Sequence, residues 1–153
     1  MELLHPLVVF VAAVFGLIAT TIMDFAMDRL PEGRMPPAIA AAAVSGNKPE
    51  DVERGPVVLA HYGSGTVAGV VYLGVFALLS MIVPDSTTMS LLALAGAGTI
   101  MFGLMIGVFF LGPLSHVGGL TAQRVGDIKR SWMISAGVYV ITVGICMLLF
   151  VQA

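Results

Sequence analysis

The stretch Pro6–Met27, PLVVFVAAVFGLIATTIMDFAM, followed at once by Asp28-Arg29, decides how the rest of the chain is read. Its only ionisable side chain is Asp24, near its end. About 20 apolar residues, at a rise of roughly 1.5 Å each, carry a helix across a hydrocarbon core. The run is therefore long enough to span a bilayer. Met1–His5 before it contains no basic residue, and no small-x-small cleavage site follows it, so it reads as a retained span and not as a signal peptide. Pro6 is well placed at its start, where a helix leaves its first N–H groups unpaired in any case.

Three more apolar runs follow, over about 57–83, 91–111 and 132–151. The second is stopped by Pro84-Asp85 and the third by Gly112-Pro113. The chain is 58% hydrophobic and 10% charged, with a mean hydropathy of +1.01, which leaves too few charges for the surface of an ordinary soluble domain. All seven Lys and Arg residues fall in two connections: Arg29, Arg34, Lys48 and Arg54 after the first run, and Arg124, Lys129 and Arg130 after the third. Cationic side chains accumulate on the cytoplasmic side of a membrane. The expected fold is thus all-α: an integral membrane four-helix bundle in one domain over residues 1–153, with both termini outside and both charged connections in the cytoplasm. Trp132 is expected at the headgroup level. The net charge of −2, with no basic stripe interleaved with aromatics, speaks against a nucleic-acid partner. The expected partners are the lipid bilayer and either further copies of the chain or a larger membrane complex.

The first charged connection has structure of its own. Pro36-Pro37 followed by Ala38–Val44 predicts a short alanine-rich helix stopped at Ser45-Gly46. Asn47 with Glu50 three residues on predicts a capped second one. In contrast, Pro84–Thr88 is short and polar, so the spans it joins are antiparallel neighbours. A single cysteine, Cys146, excludes an intrachain disulfide. Ala19–Met27 and Ala97–Met105 agree at five of nine positions, and Ala68–Val70 matches Ala136–Val138. That pattern fits a duplicated helical hairpin, although such common residues also match by chance.

Ionisable groups in or near a span are costly and each asks for a reason. Asp24, His61 and His116 all fall at the cytoplasmic end, on three different helices, and form the candidate ligand or ion site. Two imidazoles and a carboxylate suit a transition metal. Two histidines on antiparallel helices suit a haem. Asp24 with His61 also suits a proton relay or a cation path. Against these stands a structural reading, which is preferred: Asp24 and Asp28 pair with Arg29, Arg34 or Arg124, the histidines bond loop backbone, and no cofactor is held. His5 lies at the opposite end. Tyr72 and Tyr139, inside spans, are expected to bond neighbouring helices. Gly65-x-x-x-Gly69 and Gly103-x-x-x-Gly107 are expected to line close helix contacts, within the chain first and with a partner second.

Gly16–Met23, Pro36-Pro37 with Ser45-Gly46, and His61–Gly65 with Gly69 and Tyr72 together resemble small four-helix membrane proteins of archaea and bacteria, families described mainly as domains of unknown function. The resemblance covers about the first half of the chain. It implies the four-span topology and a prokaryotic plasma membrane, and carries no activity with it. No nucleophile–base pair, phosphate loop or nucleotide motif is present. The functional expectation is a non-enzymatic accessory or structural subunit of a membrane assembly. The alternatives are a small transporter or channel using Asp24 and His61, or a haem- or metal-binding redox subunit.

Overall fold

A computed structural model describes residues 5–83 and 86–152, with the side chain of residue 152 left aside. Five helices are present: α1 (Pro6–Met27), α2 (Met35–Ser45), α3 (Arg54–Ser80), α4 (Thr87–Leu111) and α5 (Ala122–Gln152). All but α2 are long and apolar enough to cross a membrane. The expected turn at Pro84-Asp85 lies outside the described residues.

Each helix starts where its local chemistry allows. The His5 imidazole accepts the Leu7 N–H at the head of α1. α3 begins at Arg54, earlier than expected, because Pro56 is tolerated in a first turn that needs no donor there. α4 begins at Thr87 because the Ser86 hydroxyl accepts the Met89 N–H at 3.3 Å. α5 departs most from expectation. It starts at Ala122, ten residues before Trp132, with the Thr121 hydroxyl accepting the Arg124 N–H at 3.3 Å. Arg124, Lys129 and Arg130 thus ride on a helix that continues past the apolar stretch.

In the first connection, α2 ends at Gly46, whose φ of 72° is the left-handed conformation that stops helices without a Cβ penalty. The second predicted helix is a single 3-10 turn, Pro49–Asp51, and it begins from Lys48 with no side-chain cap. Asn47 therefore does not cap it.

The four spans form a ring in chain order. α1 packs on α3 and α5, and α4 closes the ring against the same two helices. Successive spans run antiparallel, as do α5 and α1. The core is filled by Ala12, Ala19, Met23, Tyr72, Leu73, Phe76, Ala97, Met101, Tyr139, Val143 and Met147. Small residues set the spacing at its tightest seam. A Cβ built on Gly69 would strike the Ala12 carbonyl and the Gly16 backbone, and one on Gly65 would strike the Thr20 side chain. Gly65 and Gly69 are therefore contact glycines, as expected, and Gly16 is their partner. Gly103 and Gly107 are not: a Cβ on either meets nothing within 4 Å. Their spacing is the same, but it faces away from the bundle, so they line no contact among the described residues.

Two of the buried positions paired by the internal sequence echo in α1 and α4 have matching burial, whereas Met27 and Met105 do not. Ala19 and Ala97 are both fully buried, and Met23 and Met101 nearly so, on helices that sit diagonally across the ring.

A second, smaller core of Ile39, Phe109, Leu114 and Ile128 ties α2 and the 3-10 turn Pro113–His116 to the ends of α4 and α5. Trp132 is partly buried between the two cores. Its indole N–H donates to the Met105 carbonyl at 3.0 Å and its ring lies 4.8 Å from that of Phe109. It is a packing residue linking α5 to α4.

Candidate functional site

All seven basic residues and seven of the nine acidic ones gather at one end of the ring, the end that carries α2. The candidate site lies just inside it. Asp24 stands one turn before the end of α1, and His61 about two turns into α3. His61 Nε2 is 2.8 Å from Asp24 Oδ1. An ionised carboxylate can only accept, so Nε2 carries the proton and donates. Tyr62, next in sequence, donates its hydroxyl to the other oxygen, Oδ2, at 2.6 Å. Arg34, from the turn before α2, reaches Oδ1 with Nη1 at 3.1 Å and places its remaining nitrogens on Asp28 Oδ1 at 2.6 Å. The His61 side chain is 7% exposed and that of Asp24 17%, whereas Arg34 and Asp28 are open to solvent. The His61 and Tyr62 rings meet edge to face, with centroids 5.2 Å apart.

The result is a clasp. Both oxygens of Asp24 are taken, Oδ1 twice, and the donors come from α3 and from the connection that follows α1. A carboxylate held by three donors keeps its charge close to the membrane at small cost, because its hydration is replaced by protein hydrogen bonds.

His116 does not join it. It is exposed, at the end of the 3-10 turn Pro113–His116, and its Nδ1 lies 2.8 Å from the Gly112 carbonyl and 3.2 Å from the Ser115 hydroxyl. The three-residue cluster expected from topology is thus a pair, Asp24 with His61, extended by Tyr62, Arg34 and Asp28. Being at the same end of the bundle does not determine the direction in which a side chain points, and His116 sits on a turn that packs on α2. Among the described residues no three His, Cys, Asp or Glu side chains converge as metal ligands, and the two imidazoles do not face one another across a gap. The donor set therefore fits neither the metal nor the haem arrangement.

A second ionic group fastens the same end. Arg124, at the head of α5, bonds Glu32 through Nε at 2.7 Å and Glu50 through Nη1 at 2.8 Å. It thereby ties both halves of the first connection to α5. It does not pair with Asp24 or Asp28. Arg29 does not either, and donates to the Phe25 carbonyl instead. Glu32 holds a φ of 58°, a conformation that L side chains rarely adopt, which its bond to Arg124 helps to retain. The Glu50 carboxyl is held below its ordinary value of 4.5 by a backbone hydrogen bond first and by Arg124 second.

One turn deeper than the clasp lies a polar layer in the core. Thr20 is fully buried and returns its hydroxyl to the Gly16 carbonyl at 2.8 Å. Tyr139 donates to the Gly65 carbonyl at 2.5 Å, and Tyr72, further along α3, donates to the Leu94 carbonyl at 2.9 Å. Both tyrosines bond neighbouring helices, as expected. Ser131 donates to the Pro31 carbonyl. Ser135, between Ser131 and Tyr139 on the same face of α5, is fully buried, and its hydroxyl has no partner among the described residues.

No family model matches the chain, and no curated protein or solved structure is similar to it. What is established is a small multi-pass membrane bundle, read from its own helices.

Proposed function

We propose that the chain is a non-enzymatic integral membrane bundle serving as an accessory or structural subunit of a membrane assembly. In this reading both termini lie outside the cell and the charged end faces the cytoplasm. The observation that carries it is the closure of the Asp24 clasp. The most buried carboxylate of the site takes donors from His61, Tyr62 and Arg34 on its two oxygens, which supports a role in holding helices together. About two thirds of the chain lies in the four long helices, and the outward face of α4 presents Gly103 and Gly107 with open space above them. Small residues on a lipid-facing helix permit close approach by a helix of another chain.

The test is extraction from native membranes into polymer nanodiscs without detergent. An assembly larger than the 15.9 kDa chain is expected. Gly103→Leu with Gly107→Leu should release the chain as a monomer whose melting temperature is not lowered. A wild-type monomer in native discs would sink the proposal. Orientation is tested separately, in protein with Cys146 replaced. A cysteine at Thr88 should react with an impermeant thiol reagent on intact cells, and cysteines at Asn47 and Gln123 should not; the reverse pattern would invert the bundle.

A second reading, a small transporter or channel with Asp24 and His61 in its path, draws support from one feature. Thr20 is buried one turn before Asp24 on α1, and the buried hydroxyls of Ser135 and Tyr139 come from the neighbouring α5. Proteoliposomes carrying the wild type but not Asp24→Asn should then collapse an imposed proton or sodium gradient. Equal decay in both would dismiss this reading.

A further inference from the structure

The seam between α4 and α5 is hollow. At the end opposite the charged one, a cavity of about 580 Å³ is lined by Ser86, Thr87 and Ser90 together with Leu91, Leu94 and Leu148. A second cavity of about 520 Å³ continues from the same three leucines down the seam to Phe102 and Gly137. The two form one groove with a hydroxyl-bearing mouth and an apolar body open towards lipid.

Glycines make the body hollow. Gly98, Gly137 and Gly144 line it, and the Tyr72 hydroxyl, already bonded to the Leu94 carbonyl, forms part of its floor. A Cβ on Gly144 would come within 3.2 Å of that hydroxyl, and one on Gly98 within 3.4 Å of it. Any larger residue at these positions would fill the space. From Thr87 to Phe102 the groove runs about 22 Å along α4 at 1.5 Å per residue, a large part of the roughly 30 Å hydrocarbon core. That is the reach of one extended lipid tail.

The mouth also selects a head. No Lys or Arg occurs between Arg54 and Arg124 or after Arg130, so neither wall of the groove offers a cation to a phosphate. Three hydroxyls at the rim favour a small uncharged head able to donate and accept hydrogen bonds. A helix from a second copy would match the length but would leave those hydroxyls without a polar counterpart.

We propose that the α4–α5 groove binds a neutral, hydroxyl-headed lipid such as a diacylglycerol, with its head at Ser86, Thr87 and Ser90 and one acyl chain lying over Gly98, Gly137 and Gly144.

The test uses the purified full chain in phosphatidylcholine nanodiscs with a trace of diacylglycerol carrying a diazirine on one acyl chain. After illumination, labelled peptides should come from α4 and α5, at least fivefold above those from a phosphatidylglycerol probe with the same diazirine chain. Gly144→Leu should reduce this labelling at least fivefold. Ile141→Trp, at a rim position that is 63% exposed, should do the same without entering the core. Leu149→Phe, off the groove, should leave it unchanged. Labelling spread evenly over the four spans would mean bulk lipid only. Equal labelling by the phosphatidylglycerol probe would remove the headgroup assignment. Efficient disulfide dimers of Gly137→Cys in Cys146-free protein would give the groove to a second copy. Any of these three results overturns the proposal.

Discussion

His61 on α3 and Asp24 on α1 meet at 2.8 Å where both helices reach the charged end of the bundle, and each is more buried than the arginine that completes the group. This pair converts an expensive feature, a carboxylate at the membrane boundary, into a fastening between the two helices that pack most closely. Removing Asp24 leaves the buried His61 without its side-chain partner, and removing His61 leaves Asp24 Oδ1 with Arg34 alone; either change costs more than the pair itself contributes.

His61→Phe and Asp24→Asn are each expected to destabilise the bundle by about 1–3 kcal/mol, the cost of leaving a buried polar partner unsatisfied. Because they act on one contact, the double variant should fall short of the sum, with a coupling of roughly 0.5–3 kcal/mol. Reversible unfolding in mixed micelles reads both quantities. Strict additivity would mean that the two side chains do not share a bond in the membrane.

The glycines divide into two classes that equilibrium stability can separate. Gly69→Leu must push α1 and α3 apart at Gly16 and Ala12, so a loss of about 3 kcal/mol or a failure to fold is expected, at the severe end of overpacking. Gly103→Leu meets open space and replaces a poor helix former in an exposed position, so it should be neutral or stabilising by up to about 1 kcal/mol. A comparable loss at both sites would contradict the packing described.

This contrast marks how far the sequence could be read. Span number, the alanine-rich α2 and its stop at Gly46, the helix-bridging tyrosines and the contact role of Gly65 and Gly69 follow from local chemistry and composition. Whether a given helix face turns inward does not. Gly103 and Gly107 repeat the spacing of Gly65 and Gly69, but only the packing of the whole ring decides which pair is covered. The same holds for His116, which shares an end with Asp24 and yet belongs to a turn. Tyr62 was missed as a donor because adjacent helical residues point about 100° apart, so helical spacing assigns it to a different face from His61. Only the length of the tyrosine side chain lets both reach one carboxylate. A phenol beside a histidine near a helix end is the signal that suggests it. The early start of α5 was hidden because a charged helix and a charged loop have the same composition.

The Arg124 bridge gives the charged end an acid limit. Glu50 titrates lower in the folded chain than its ordinary 4.5, so its contribution is fully present above that value and is lost as pH falls through the folded value. Melting temperatures of wild type and Glu50→Gln should therefore differ at pH 7 and converge once the pH has fallen through the lowered folded value. Because Glu50 is solvent-exposed, the gap at pH 7 should be small and should shrink in high salt. A gap that does not narrow at all as the pH falls below 4.5 would place the effect of Glu50 outside its charge.

Ser135 tests whether the core is dry. Its hydroxyl is fully buried on α5, one turn from Ser131 and one from Tyr139, and has no partner among the described residues. A buried hydroxyl without a hydrogen bond costs about 1–3 kcal/mol, and replacing it by a methyl hydrogen removes that cost at almost constant volume. Ser135→Ala should therefore stabilise the bundle by about 1 kcal/mol and leave the Tyr139 bond to Gly65 intact. If a water or a transported ion occupies the layer beneath the Asp24 clasp, the same substitution removes one of its ligands and destabilises instead. A buried water needs two to four polar partners, and Ser135 with Thr20 and Tyr139 offers buried hydroxyls that could supply them. The sign of a single unfolding measurement thus separates a dry structural core from a polar path through it, with stabilisation expected.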